Sequence, residues 1–517
     1  AGVRIYHGNF CFHGKQAHSG GGMIFDAPAT DESWLAELHG FSWLADLEAT
    51  GLELGRRHAR ALIWDWVEKN RYRQPGANAV PVVARRLMSW ILAAPFLMPG
   101  AEQGFVGGFY SALASHVRDL QLRSAIARSR DIRLDCAIAL AFAAVALKGL
   151  EASRPSELQQ LSERLDAQIF PDGGHVGRNP ADLVRLLLDL IPLRLACEEA
   201  RIEIPPKVHA AIERMLPMLR FFMHGDGGLA MFQGVCDPFV RECSAILKAD
   251  VIAGRPLSNA VYSRYARLAH GDSVVICDTG LPADEALNPR SACAPLAFEF
   301  SDAACRVVTN CGAPVSRKQL MAVAKLGDAH STAAPANPLK HPASLPVLER
   351  LGLAGGKSGR AHAEANTSPL GSIIEACHSA FQAQTGHLHE RRLFLSASGG
   401  DFRGEDRFIP VCAVPGPAHH FLIRFHLHPA VRATLSMGGA SVVLLLPSKI
   451  GWTFSARGAE IALEESICLW GKAGPRKTTQ IVLTGCTAGQ PVIWAFKRCR
   501  ERPTSADQAA SSVALPL

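Results

Sequence analysis

None of the chain's fourteen cysteines stands in a CxxC pair. A disulfide framework and a zinc ribbon therefore find no support, and the cysteines read as scattered small hydrophobes suited to a reducing compartment such as the cytoplasm. Dense Lys/Arg runs with interleaved aromatics are also missing, and aromatics make up only 7% of residues, which excludes nucleic acid as the expected partner. Apolar stretches of membrane-spanning length are broken by charge, Pro or Gly. The nearest, residues 134–150, carries Asp135 and Lys148 and reads as a buried helix, so membrane insertion is not expected. The chain opens without a signal-peptide pattern, which by itself fixes no compartment.

What the chain does have is apolar material for large cores. It is 48% hydrophobic and 20% charged over 517 residues, a globular composition long enough for two or more domains. The net charge of +7, with 20 histidines besides, favours anionic partners.

Residues 1–30 read as irregular, with a short strand over 4–12. From 32 to 252 apolar residues recur at three- and four-residue intervals. Trp34, Leu35, Leu38 and Phe41 begin the series; Ala59, Leu62, Ile63 and Trp66 continue it. This spacing predicts roughly nine or ten helices joined by short loops. No fixed repeat period is present, so a closed, toroid-like array is expected in place of an open solenoid. Past Gly254-Arg255-Pro256 the pattern changes to short runs bounded by Gly, Pro, Asp and Asn, several alternating polar and apolar. This predicts an antiparallel β-sandwich. The expected division is a helical domain over 1–253, a sandwich over 254–501 and a disordered tail over 502–517. The Ala-, Pro-, Gly- and Ser-rich stretch 333–372 reads as a long loop or insertion.

The stretch 170–194, FPDGGHVGRNPADLVRLLLDLIPLR, organises the helical half. Pro171, Asp172, Gly173 and Gly174 make a turn. Asn179 serves as N-cap, Pro180 takes the first helical position and Asp182 the capping-acid position. The helix that follows is apolar on nearly every side and is expected to be buried. His175 and Arg178 are presented at its N-terminus, where helix dipole and free N–H groups favour an anion. The plainer reading, equally open on these residues, has Arg178 and Asn179 capping the helix and His175 solvated.

These motifs, with PVVARRLMSW (81–90) in the helical half and GDAHST (327–332), HERRLFLSASGGDFRGEDRF (389–408) and RFHLHP (424–429) in the sandwich, resemble the heparinase II/III-like family of bacterial polysaccharide lyases. The resemblance spans nearly the whole chain and implies an N-terminal α/α toroid followed by a C-terminal antiparallel β-sandwich. It also implies cleavage of an acidic, uronate-containing glycan by β-elimination in the cleft between them. That chemistry neutralises the uronate carboxylate, removes the C5 proton and protonates the leaving oxygen. By resemblance His175 lies in the active centre, Arg178 and Asn179 neutralise the carboxylate, and His330 arrives from the sandwich. Family members are commonly exported to the envelope or periplasm, against the cytoplasmic lean of the cysteines.

The chain departs from the family where a catalytic tyrosine is usual, in FFMHGDGGLAMFQG (221–234). His224 is the nearest titratable substitute, able to act as base near neutral pH. Tyr262 and Tyr265 open the sandwich and are placed to reach the cleft. Arg85 or Arg86 is expected at the toroid's mouth, and Trp90 either stacks on sugars or packs in the core. His330 is followed by Ser331, Thr332 and Ala333, so the motif does not support a structural zinc or calcium, and no cofactor is assigned. The pairs His426/His428 and His387/His389 each share a strand face, and the run Arg403, Glu405, Asp406, Arg407 reads as a solvated turn. Three functions remain open: elimination, a catalytically silent glycan-binding protein of envelope or exopolysaccharide metabolism, or hydrolysis by a carboxylate pair such as Asp172 and Asp226.

Overall fold

The computed structural model describes residues 1–20, 22–26, 31–69, 71–74, 76–250, 254–315, 318–336, 361–411, 418–471 and 474–499. The expected boundary at 253, the middle of the expected loop (337–360) and the expected tail lie outside these residues.

The helices form two layers. Glu32–Gly40, Val80–Leu97, Arg130–Ala146, Pro180–Ala200 and Val240–Lys248 pack side by side as an inner series. Glu53–Glu68, Gln103–Ile126, Arg154–Asp166 and Pro206–Phe221 lie outside them, between successive inner helices. This alternation is what a toroid of paired helices requires. Composition sorts the layers. Arg130–Ala146 carries the run CAIALAFAAV, buried at every position, because small alanines let neighbours approach on all sides. Glu53–Glu68 buries one main stripe, Ala59, Leu62, Ile63 and Trp66, as an outer helix should. Val80–Leu97 is the one described helix long and apolar enough to cross a membrane, and 61% of it is buried inside the protein.

Two details differ from the sequence reading. Residues Gly2–Tyr6 are helical, and only Asn9–Phe12 is a strand, paired with Lys15–His18. Trp90 is wholly enclosed, its ring 5.4 Å from Phe41, 5.6 Å from Trp66 and 5.5 Å from Phe109. Such aromatic contacts contribute about 0.5–1.5 kcal/mol each beyond area burial. A ring with no free face is a core pillar, not a sugar platform.

The C-terminal half holds two antiparallel sheets. One runs Glu460–Cys468, Arg476–Cys486, His420–Leu427, Cys305–Thr309, Phe298–Asp302, Ser273–Asp278, Tyr265–His270, Asn259–Ala260, with Ala333–Pro335 added on His420–Leu427. The other runs Arg432–Leu435, Ser441–Leu445, Gly451–Arg457, Val492–Arg498, Asp401–Pro410, His387–Ser396, Gly371–His378, Ala361–Ser368. Alternate residues of both sheets meet in one core; Phe298 and Phe300 of the first sheet pack on Phe402, Trp452 and Trp494 of the second. The expected loop 333–372 is therefore strand at both ends. Ala361–Ser368 reads AHAEANTS and has no fully buried residue, so it carried no hydrophobic signal. The charged run at 403–407 is likewise strand, with Asp406 1% exposed and bonded to His389, Arg391 and Trp494.

Two Asp-Gly-Gly hairpins fasten the halves together. Each follows an outer helix, and each is closed by a lone β-bridge, Ile169 to His175 and Met223 to Leu229. In the first, Asp172 accepts the backbone N–H groups of Tyr262 (2.9 Å) and Ser263 (2.7 Å) and the Ser263 hydroxyl (2.6 Å). In the second, Asp226 accepts a two-pronged ion pair from Arg306, at 2.8 and 3.1 Å. Glycine is required by proximity: a Cβ on Gly174 would lie 1.9 Å from Ser263 Oγ, and one on Gly225 would lie 2.0 Å from the Ala303 carbonyl oxygen. The helical core continues across this junction through Tyr265, Ile276, Ala294 and Ala297.

Candidate functional site

The loop between the first hairpin and the helix Pro180–Ala200 forms as its residues dictate. Asn179 accepts the Ala181 N–H at 3.0 Å, so the expected N-cap is present. Its side-chain oxygen is spent on the helix.

Arg178 turns away from any ligand. It sits at φ 58°, which aims its side chain into the sandwich. Nε donates to Ser263 O and Nη2 to Arg264 O, each at 3.0 Å, and further bonds reach Leu281 O and Asp278. The guanidinium lies 4.8 Å over the Tyr265 ring, whose hydroxyl donates to Arg178 O at 2.8 Å. Burial opposes the charge, but Asp278 outweighs it and holds the guanidinium pKa above its ordinary value. Gln233 donates to the other Asp278 oxygen at 2.7 Å. Removing one partner of such a buried pair costs about 3–5 kcal/mol. The expected carboxylate neutraliser is thus a rivet between the halves, and Tyr265, fully buried, is part of it. Tyr262 is 57% exposed, held at its backbone by Asp172.

His175 is 3% exposed, on the inner side of the loop. Nδ1 stands 3.2 Å from Asp182 Oδ2 and Nε2 stands 3.2 Å from Gln168 Oε1. Beyond it the sequence reading had missed a charged stripe. Asp182, Arg185 and Asp189 recur at helical spacing on Pro180–Ala200, and Asp131 and Asp135 on Arg130–Ala146. Arg185 pairs with Asp135 and reaches Asp182 at 3.8 Å. Arg85 closes on Asp189 with two bonds, at 2.5 and 2.8 Å. Side chains of Asp135, Asp182 and Arg185 remain 22–31% exposed, so this stripe, and not His175, meets solvent. Burial lifts the Asp131 and Asp135 pKa values above the usual carboxylate range. Burial acts on Asp182 the same way, but the His175 bond and the charges of Arg185 and Arg290 overcome it and hold its pKa down. Arg290 belongs to the sandwich, so the stripe faces that half.

His224 and His330 do not join this cluster. His224 is sealed at the second hairpin, its Nδ1 2.9 Å from Ser301 Oγ and its Nε2 3.1 Å from Glu299. Burial lowers its pKa despite Glu299. His330 is 3% exposed, with Nε2 3.0 Å from the Ala324 carbonyl. His426, from the neighbouring strand, is taken up by Ser466 and the Asp328 carbonyl. Asp172 and Asp226, the expected hydrolytic pair, are the two hairpin clamps. Among the described residues no group of three or more His, Cys, Asp or Glu converges as a metal site.

A sequence model described as heparinase II/III-like, C-terminal, matches residues 252–502. FtsZ-localized protein C of Caulobacter vibrioides (strain NA1000 / CB15N) is 32% identical over 473 residues, covering 89% of this chain and 81% of that protein. The chain belongs to the heparinase II/III-like family. Solved structures agree on the fold. Heparinase III superposes with a TM-score of 0.69 at 13% identity, over 93% of this chain and 80% of its own. Heparan sulfate lyase HepC from Pedobacter heparinus gives 0.61 at 14%, over 97% and 83%. At those identities the likeness is one of fold. Within this heparinase II/III-like chain, the helical half followed by antiparallel sheets stands as the sequence predicted.

Proposed function

We propose that this chain is a polysaccharide-binding protein of the cell envelope that does not cleave by β-elimination. Arg178 carries the reading: the guanidinium that would neutralise a uronate carboxylate gives its donors to Ser263, Arg264, Leu281 and Asp278. The Tyr265 hydroxyl does not take its place, since it donates to Arg178 O. The half-buried stripe sets Asp131, Asp135 and Asp182 against Arg185, while Asp189 is buried and spent on Arg85. An acid-rich surface repels a polyuronate and suits a neutral or amino-sugar glycan. The name of the Caulobacter relative extends the proposal: this chain works where FtsZ assembles.

One observation favours a second reading. Asp131 and Asp182 interact, and their surroundings push their pKa values in opposite directions. Such a pair suits acid and base roles in hydrolysis.

The test is to incubate the full chain with chitosan oligosaccharides and with polyuronates, following affinity, reducing ends and the ultraviolet absorbance of unsaturated uronate. Binding to the amino-sugar chains, weakened in Asp135→Asn, with neither product, is expected. Reducing ends without absorbance, lost in Asp182→Asn, would establish hydrolysis. Absorbance that vanishes in His175→Ala would overturn the proposal and restore elimination.

A further inference from the structure

Next to Arg85, on the other side of the same helix, lies a cavity that none of the groups above uses. Its volume is about 420 Å³, within the range of small-ligand sites. Trp66, Tyr72, Val83, Arg86, Ser111 and Ser115 line it. They come from Glu53–Glu68, Arg71–Arg73, Val80–Leu97 and Gln103–Ile126.

Arg86 is the anomaly. It is 1% exposed, and among the described residues no carboxylate bonds to it. Nε donates to His116 Nε2 at 2.7 Å, and Nη1 donates to His39 O and Ala77 O, each at 3.0 Å. Nη2 has no acceptor among the described residues. The guanidinium stacks 4.2 Å over Trp66. Asp119 acts on it only from a distance and is itself bound by Arg123 at 2.8 Å. The flanking imidazoles bring no charge either way: burial pushes His116 down to about 3 and His39 down to about 4. Arg85, one residue earlier, shows the contrast, since Asp189 answers it with two bonds. A buried cation left without a counter-charge is costly, and one with a free edge on a cavity is an anion site waiting to be filled.

We propose that this cavity binds a small organic carboxylate with an apolar body. One carboxylate oxygen takes the Nη2 edge of Arg86, and the body lies among Trp66, Val67 and Val83. A monoanion balances Arg86 one for one. A dianion would bring a second negative charge against Asp119, which also lines the cavity. Ser111 and Ser115 add hydroxyl donors near the opening, where both residues are exposed.

The test is calorimetric titration of the full chain with benzoate, with its neutral isostere benzamide, and with inorganic phosphate. Benzoate is expected to bind saturably, and benzamide about tenfold or more weakly, the difference a charge-assisted hydrogen bond makes. Arg86→Gln should lose benzoate, but it also frees the His39 and Ala77 carbonyls and so strains the fold. Ser115→Phe fills the opening from an exposed helix position without touching those bonds; it should abolish benzoate binding at unchanged melting temperature. The proposal is overturned by benzoate that does not saturate, by equal binding of benzoate and benzamide, by phosphate binding alone, or by benzoate binding indifferent to Ser115→Phe.

Discussion

The two Asp-Gly-Gly hairpins begin from nearly the same residues and end in different jobs. PDGGH at 171–175 and HGDGG at 224–228 each put an Asp-Gly-Gly run and a histidine where an outer helix hands over to an inner one. The first grips neutral partners, two backbone N–H groups and a hydroxyl. Its histidine follows the glycines and so points back along the loop toward Asp182 and the half-buried charged stripe. The second grips a cation, Arg306, and its histidine precedes the aspartate and is locked on Glu299. Order within the motif decides whether the imidazole borders a site or closes a seam.

Breaking the charged clamp should cost most. Arg306→Ala leaves Asp226 unpaired and Glu299 without its neighbouring cation; a loss of about 3–5 kcal/mol is expected by chemical denaturation. Asp172→Ala, which frees neutral donors, should cost about 1–3 kcal/mol. Equal losses at the two positions would erase the distinction. Filling the glycine contacts tests geometry instead of charge. Gly225→Ala drives a methyl into a backbone carbonyl and should cost about 2–3 kcal/mol. Gly174→Ala meets Ser263 Oγ at 1.9 Å and Cβ at 2.8 Å, so it displaces the hydroxyl that Asp172 holds and should cost about as much.

The pH response tests the second hairpin's histidine. Burial holds His224 below its ordinary pKa, so the unfolded chain binds its proton first as pH falls below about 6.5. Stability therefore drops as pH falls through and below about 6.5, and His224→Gln should show a shallower drop than the wild type in paired melts. An unchanged slope would remove His224 from the seam's acid response. The smallest effect belongs to the first hairpin's cap, where Asn179→Ala should cost about 1 kcal/mol in the same denaturation assay.

Local signals were legible in the sequence, and distant partners were not. Three- and four-residue spacing gave the helical half, and Asn179-Pro180 marked the start of its helix to the residue. The strand half followed from short alternating runs, except where Ala361–Ser368 lies at a sheet edge with nothing fully buried. Arg178 illustrates the limit. Its place at a helix N-terminus suggested an anion, and it found one in Asp278, a hundred residues on. The stripe of Asp182, Arg185 and Asp189 was readable at helical spacing. It was hidden by the leucines around it, which made the helix look uniformly apolar.

The clamps at Asp172 and Asp226 grip the same sheet three strands apart, one beside Tyr265–His270 and one at Cys305–Thr309. A hatch hung on one pin can swing; one pinned at two corners cannot. The angle between the halves is therefore set by the fold itself, and a hinge between them is not available.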